Sequence, residues 1–425
     1  MTEPVQIVGG GIAGLSAALT LQDAGVDYEL HEASSTFGGK ISSSEVDGVT
    51  VDAGADNFVT RDSNFLALIE RVGLKDHLIH PVSANPPFVY VDGELHPLPG
   101  GTYIGIPKDD LGSSFSPVTQ TYLTPPTELA NTEPVSVGDV IRAEFTAEVA
   151  DLLVNPLLGG VNATSIDSLD FEASMPSLYE EYKRTGSLAK VAAQIPKSTG
   201  GKVFAGLATT TQGLIDGLAA QLDPQRLFTN SSVNQLSNQP TILATPAIAA
   251  KNLFDGAKLQ IEFPIVNYTS VAQVTVTFDT NAIDLPDSSG IIFPTTEGKH
   301  LSASTFLSSK WQHYKDSGKA IVRLTTGKQD SGWDLSSVND EQLIKTLIGE
   351  IAEVIKFDSY RETRVVRWDN ALPHYEVGHA SKIRELRKDM HMAAPHIQLA
   401  GAAYDGIGIP ACWQSGVNAT NAFCH

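Results

Sequence analysis

Short apolar runs of strand length alternate with helix-period stretches along this chain of 425 residues. Residues 5–8 (VQIV) predict a buried strand, residues 15–21 repeat at helical period, and residues 28–30 predict a second strand. Asp62 and Ser63 offer an N-cap for a helix over residues 65–71 that Gly73-Leu74 ends. Residues 88–91 and 95–98, joined through Asp92-Gly93, predict a hairpin. Residues 108–135, rich in Ser, Thr, Pro and Asp, predict an excursion or mobile loop. Residues 136–158 follow a helical pattern with Ser136 or Asp139 near the N-cap. Asn155-Pro156 is expected to interrupt it, because the residue before proline is pushed out of the α region. A short helix over 213–222 and an apolar strand over 241–246 come next. Then follow a half-buried strand over 271–278, another strand over 319–324, and an amphipathic helix over 341–355 with Leu343, Leu347, Ile351, Val354 and Ile355 on one face. A strand at 397–400, a glycine-rich loop over 401–410 and a helix from 411 to 423, with Pro410 at its first turn, close the chain.

The first strand–helix–strand carries chemistry. Gly9, Gly11 and Gly14 stand at G-x-G-x-x-G spacing between strand and helix, and Glu32 ends the second strand. Gly9 allows the tight turn, Gly11 lets backbone approach a pyrophosphate, and Gly14 lets helix and strand pack closely. The helix N-terminus offers unpaired N–H groups and a positive dipole end to phosphates. Glu32 would accept hydrogen bonds from a ribose 2′-hydroxyl and repel a 2′-phosphate. With all parts in register, this is a dinucleotide-binding βαβ unit. A second glycine turn, Gly38-Gly39-Lys40, and the segment Val51-Asp52-Ala53-Gly54 follow. That order resembles the flavin amine oxidase superfamily and implies FAD rather than NAD, with Lys40 neutralising the pyrophosphate. The closing loop repeats the physics: backbone free of side chains can approach a flat ring, and a helix N-terminus can stabilise negative charge on it.

Composition narrows the partners. A formal net charge of −20 argues against nucleic acid or an anionic membrane surface, and leaves membrane contact peripheral at most. Within that acidic chain, residues 182–215 hold Lys183, Arg184, Lys190, Lys197 and Lys202 and no Asp or Glu. They form either a solvated face or an island that meets an anionic substrate. Cys412 and Cys424 make no disulfide framework and no metal-ligand spacing. No apolar run spans a membrane, and the first strand begins by residue 5, so a soluble cytoplasmic protein is expected.

Several segments together resemble one family, the protoporphyrinogen/coproporphyrinogen oxidases. They are Gly38-Gly39-Lys40, Gly54-Ala55-Asp56-Asn57-Phe58 with Arg61, and Ser136-Val137-Gly138-Asp139. Further along come Asn155 to Val161, Ser309-Lys310-Trp311, Leu372 to His379, and Gly406-Ile407-Gly408-Ile409-Pro410. The pattern is closest to the soluble Gram-positive coproporphyrinogen III oxidases. The resemblance implies an α/β fold whose discontinuous Rossmann-type FAD domain spans residues 1–84, 203–255 and 368–425. A mixed-sheet substrate domain would take 85–106 and 256–367, and a mostly helical insertion 107–202. It further implies a six-electron oxidation of a porphyrinogen in three two-electron steps, with molecular oxygen reoxidising FAD. No single catalytic acid–base side chain and no metal is implied. Gly9, Gly11, Gly14, Glu32, Gly39 and Lys40 would hold the adenosine–pyrophosphate half of FAD, Val233 and Thr245 would flank the adenine by backbone, and Gly408, Ile409 and Pro410 would face the isoalloxazine. Arg61, Lys310 and Arg323 would fork the substrate propionates. Protoporphyrinogen IX is the close alternative substrate. An amine oxidase or desaturase, or a flavin-binding relative with reduced turnover, are the others. Monomer and homodimer both stay open. The chain departs from the family at Asp62, at Asn162-Ala163-Thr164-Ser165, and between Ser231 and Thr241, where a strand pair is usual.

Overall fold

The protein is described from a computed structural model covering residues 3–83, 85–124, 129, 134–196, 203–259, 261–329 and 332–424. Five strands form a parallel sheet in the order Leu227–Phe228, Tyr28–His31, Val5–Val8, Thr241–Leu243, Ile397–Leu399. Parallel strands covered on both faces read as apolar runs, which is why their sequence lacks alternation. One face packs on the helices Ile12–Asp23 and Ile409–Ala419 through Leu15, Leu19, Ile409 and Trp413. The other packs on Ala247–Ala257 and His379–Ala393 through Leu253, Phe254, Ile383 and Leu386. The sheet is thus doubly wound and drawn from three separate parts of the chain.

A second sheet of seven strands runs Thr363–Pro373, Tyr268–Asp279, Lys319–Thr326, Ala303–Phe306, Gly290–Ile292, Phe88–Val91, Glu94–Pro97. Only the pairing of Gly290–Ile292 with Phe88–Val91 is parallel. The strand Thr363–Pro373 crosses residue 368, the expected domain boundary, and carries the chain from this sheet back towards the first. Leu343, Leu347 and Ile351 of the helix Asp340–Ala352 cover one face. The strand predicted half-buried is buried on both sides, because Thr275 and Thr277 on its polar face are enclosed as well as Val274 and Val276.

The helical region between the sheets differs from its sequence reading in two ways. Within 108–135, Leu111, Phe115 and Val118 are buried in the same core as Val137, Val140 and Ile141, so the described part of that polar segment is pinned by apolar anchors. The second difference concerns Pro156. The first helix, Val137–Glu144, starts in a capping box in which Asp139 N–H donates to Ser136 Oγ (2.9 Å) and Ser136 N–H to Asp139 Oδ2 (3.0 Å). It ends at Phe145, well before the proline. Pro156 lies inside a π-helical run, Ala150–Gly159. The wider π turn moves the carbonyl that a proline ring would strike in an α-helix, so the chain winds on through it. Among the described residues no helix is long and apolar enough to cross a membrane, and no cluster of three His, Cys, Asp or Glu could hold a metal ion.

Candidate functional site

The opening turn is built by contact distances that exclude side chains. Gly9 has φ +107°, and a Cβ there would lie 2.6 Å from Ala244 O. A Cβ on Gly14 would lie 1.9 Å from Gly9 O, so the helix sits directly on the turn. Gly11, the N-cap of Ile12–Asp23, receives no side-chain cap, and the nearest atom to a Cβ there would be Gly38 O at 3.9 Å. The helix therefore presents uncapped N–H groups to open space, with no acidic residue in its first turn to repel an anion. The Glu32 carboxylate is held at that mouth: Oε2 accepts from Gly10 N–H (2.7 Å) and Oε1 from Ser34 N–H (2.7 Å). Gly38 and Gly39, both at positive φ, lay the second turn against the first, with Gly38 N–H donating to Gly10 O at 2.9 Å. Beside Gly9, the Thr245 Oγ1 is buried with no hydrogen-bond partner, the kind of orphan a bound polar group satisfies. These residues fit a dinucleotide. The Val233 side chain, partly buried, packs against the apolar cluster that holds Leu243 and Phe254.

Lys40 is exposed as a residue, but its ammonium is drawn back onto the protein. Its Nζ donates to Ala371 O and lies 5.1 Å from the centroid of the Tyr268 ring. Burial pulls its pKa down to about 8.

The closing loop is clamped by side chains from residues 375 and 379. Tyr375 Oη donates to Ala402 O and accepts from Gly406 N–H at 3.0 Å. His379 Nε2 donates to Ala403 O (2.9 Å), and the two rings stack with centroids 4.5 Å apart. Burial drives the Tyr375 phenol far above its ordinary range and lowers His379 to about 4, so both are neutral near pH 7. Burial also raises the Cys412 thiol, which lies 3.4 Å from Gly406 O, to about 12. Past the clamp, Gly408 N-caps the helix Ile409–Ala419 without a side-chain cap, and Pro410 occupies the first turn. Gly408, Ile409 and Pro410 thus form a second helix N-terminus left bare. The clamp was not legible beforehand: both segments stood in the sequence, but their pairing is a long-range contact that no local periodicity encodes.

A cavity of about 250 Å³ opens against this loop, walled by Tyr103, Ile104, Leu158, Met175, Tyr375 and Ile407 among others. Arg61 reaches its wall through Tyr103: Nη1 donates to the Tyr103 hydroxyl at 3.3 Å, with the guanidinium 5.2 Å from the ring centroid. Lys310 and Arg323 have a different place from the propionate forks expected of them. Lys310 Nζ and the Trp311 indole N–H both donate to Asp56 Oδ2 at 3.0 Å. Arg323 Nη2 donates to Asp52 O (2.6 Å), and its Nη1 stands 3.9 Å from Asp56 Oδ1. Burial alone would push the Asp56 carboxyl up, but the two cations and the indole outweigh it and hold it below the usual carboxylate range. The physical reason is plain: a buried carboxylate needs paired charge, and these two residues supply it. Asp62, the first departure, caps its helix by accepting from Asn64 N–H (2.8 Å) and Phe65 N–H (3.3 Å). Asn162, the second, lines the cavity while its Nδ2 donates to Leu158 O (2.9 Å). Of the basic island, Arg184 pairs with Glu181, Lys183 lies over the Tyr179 ring, and Lys197 and Lys202 fall outside the described residues.

A doubly wound sheet with two bare helix N-termini, the second of them next to a cavity walled by Gly406 and Ile407, is the arrangement of a flavin-binding oxidoreductase. Comparison with known proteins agrees. Residues 12–423 match the family described as flavin containing amine oxidoreductase. The chain is 28% identical over 461 residues to the coproporphyrinogen III oxidase of Bacillus subtilis (strain 168), covering 97% of this chain and 96% of that one. It is 30% identical over 434 residues to the coproporphyrinogen III oxidase of Mycobacterium tuberculosis (strain H37Rv), covering 96% and 94%. A crystal structure from Exiguobacterium sp. 255-15 superposes with a TM-score of 0.84 at 27% identity, covering 98% of both chains. The chain belongs to the flavin containing amine oxidoreductase family, in its protoporphyrinogen/coproporphyrinogen oxidase branch.

Proposed function

We propose that this protein binds FAD and oxidises coproporphyrinogen III to coproporphyrin III in heme biosynthesis, with oxygen as the final acceptor. The observation that carries the reading is the cavity. It is largely apolar, it is bounded by the clamped loop at Gly406-Ile407, and Arg61 is brought to its wall on Tyr103. Similarity over nearly the full length to two relatives named coproporphyrinogen III oxidase supports it. The adenosine–pyrophosphate half would lie on Gly9, Gly11, Gly14, Glu32, Gly39 and Lys40, with Thr245 beside Gly9, and the ring on Gly408, Ile409 and Pro410. Bound there, FAD would supply a two-electron acceptor, used three times per porphyrinogen.

The chain's own residues position the substrate. Among the described residues that line the cavity there is no carboxylate, lysine or histidine. Proton removal from the pyrroles is therefore left to the substrate and solvent, and the protein's contribution is orientation. Arg61, held over the Tyr103 ring, would meet a propionate. Free Cys412 and Cys424 suit a reducing compartment, so we place the protein in the cytoplasm.

The test is anaerobic mixing of the flavin-loaded protein with coproporphyrinogen III, followed by air. Bleaching of flavin absorbance, then porphyrin fluorescence and peroxide, is the expected result. Flavin that stays oxidised with both coproporphyrinogen III and protoporphyrinogen IX would overturn the reading.

A further inference from the structure

Among the described residues, three two-residue hairpin turns have central residues that both take positive φ: Asp47-Gly48 (49° and 71°), Asp92-Gly93 (51° and 85°) and Ile104-Gly105 (50° and 85°). Each joins directly paired strand ends, Val46 with Val49, Val91 with Glu94, and Tyr103 with Ile106. This is the type I′ geometry, for which Asp-Gly and Asn-Gly are the favoured pairs. Two of the turns follow that rule. The third puts isoleucine, a β-branched side chain, in the left-handed region, where it is a genuine outlier.

The third turn also sits at the cavity. Gly105 is pressed on the π-helical run, where a Cβ would lie 2.4 Å from Leu153 O, so the position of the tip is fixed. Ile104 lines the cavity and is 38% exposed, as is Val161 at 60%, which places both at its mouth. Tyr103, one residue earlier, carries Arg61. An aspartate here, the chain's own solution twice elsewhere, would relieve the backbone and put a charge at an apolar entrance.

We propose that Ile104 is a specificity-determining residue: its strained hairpin holds an apolar side chain at the mouth of the cavity, against the tetrapyrrole carbon skeleton of the substrate. The assignment rests on the porphyrinogen reading above. Because the side chain contributes binding rather than chemistry, its loss raises KM and leaves kcat nearly unchanged.

The experiment compares flavin-loaded wild type, Ile104→Asn and Ile104→Val by thermal melting and by steady-state oxidation of coproporphyrinogen III. Ile104→Asn is expected to raise Tm by about 2 °C through relief of strain. The same variant is expected to raise KM by about tenfold, the scale set by lost apolar contact. Ile104→Val keeps both the branch and the apolar contact, and is expected to match wild type in Tm and KM. A Tm that falls in Ile104→Asn overturns the strain, and an unchanged KM overturns the role at the mouth. If wild type turns over neither porphyrinogen, the functional reading fails and takes this assignment with it. If wild type is active and Ile104→Asn is kinetically parental, only the assignment fails.

Discussion

Lys40 shows how a residue can be legible in type and illegible in state. Its place after Gly38-Gly39 signals an anion partner, yet only the fold shows its ammonium drawn against Ala371 O and the Tyr268 ring, with its pKa lowered to about 8. In the flavin-free protein that cation is lost as pH rises through 8. The unfolded chain keeps its proton up to about 10.5, so flavin-free stability rises with pH between those values. FAD affinity follows the opposite course: if Lys40 neutralises the pyrophosphate, Kd rises above pH 8 by up to about tenfold per pH unit. Titrating FAD from pH 7 to 9.5 checks this. A flat Kd in wild type, or an unchanged slope in Lys40→Met, would count against the contact. Arg323 and Lys310 are the converse case. Their partner, Asp56, lies more than 250 positions away in sequence, and its burial is a property of the assembled loop.

At the scale of elements, the strongly patterned pieces were readable. The opening strand and helix, the cap at Asp62, the Asp92-Gly93 hairpin and the helix Asp340–Ala352 all follow local rules. What failed was burial imposed from outside: Leu111 and Phe115 anchor a stretch that composition marks as loop, and a π turn lets the chain pass Pro156. Packing between elements yields a further prediction. The helices Ile12–Asp23 and Ile409–Ala419 touch at Gly416, where a Cβ would stand 2.0 Å from Ala13 O and 2.1 Å from Ser16 Oγ. Alanine gains about 1 kcal/mol of helix propensity over glycine. Overpacking against backbone costs about 1–3 kcal/mol, occasionally more, and it outweighs that gain. Gly416→Ala is expected to lower Tm by calorimetry and to weaken FAD retention, since the residues assigned to the cofactor stand at the N-termini of both helices. A Tm at or above wild type would show that the helices separate at little cost.

Across the whole molecule, the residues assigned to FAD come from positions 9–14, 32–40, 245 and 408–410, so one ligand would tie distant segments together. Binding at a free concentration 100 times Kd stabilises the native state by about 2.7 kcal/mol. A concentration-dependent rise in Tm with added FAD is therefore expected, and a transition indifferent to FAD would show that the native protein does not bind it. The architecture also has a consequence in time. The first strand to be synthesised, Val5–Val8, finds its neighbour Thr241–Leu243 only after more than two hundred residues, and the sheet is closed by Ile397–Leu399 near the end of the sequence. Until then the nascent chain must carry Ile7, Leu15 and Leu243 without their final cover, since each is fully buried once folded. Such late-closing, long-range pairing is slow and aggregation-exposed. Cofactor capture would be the last act of folding, because the residues assigned to the ring, at positions 408–410, are made after the strand that closes the sheet.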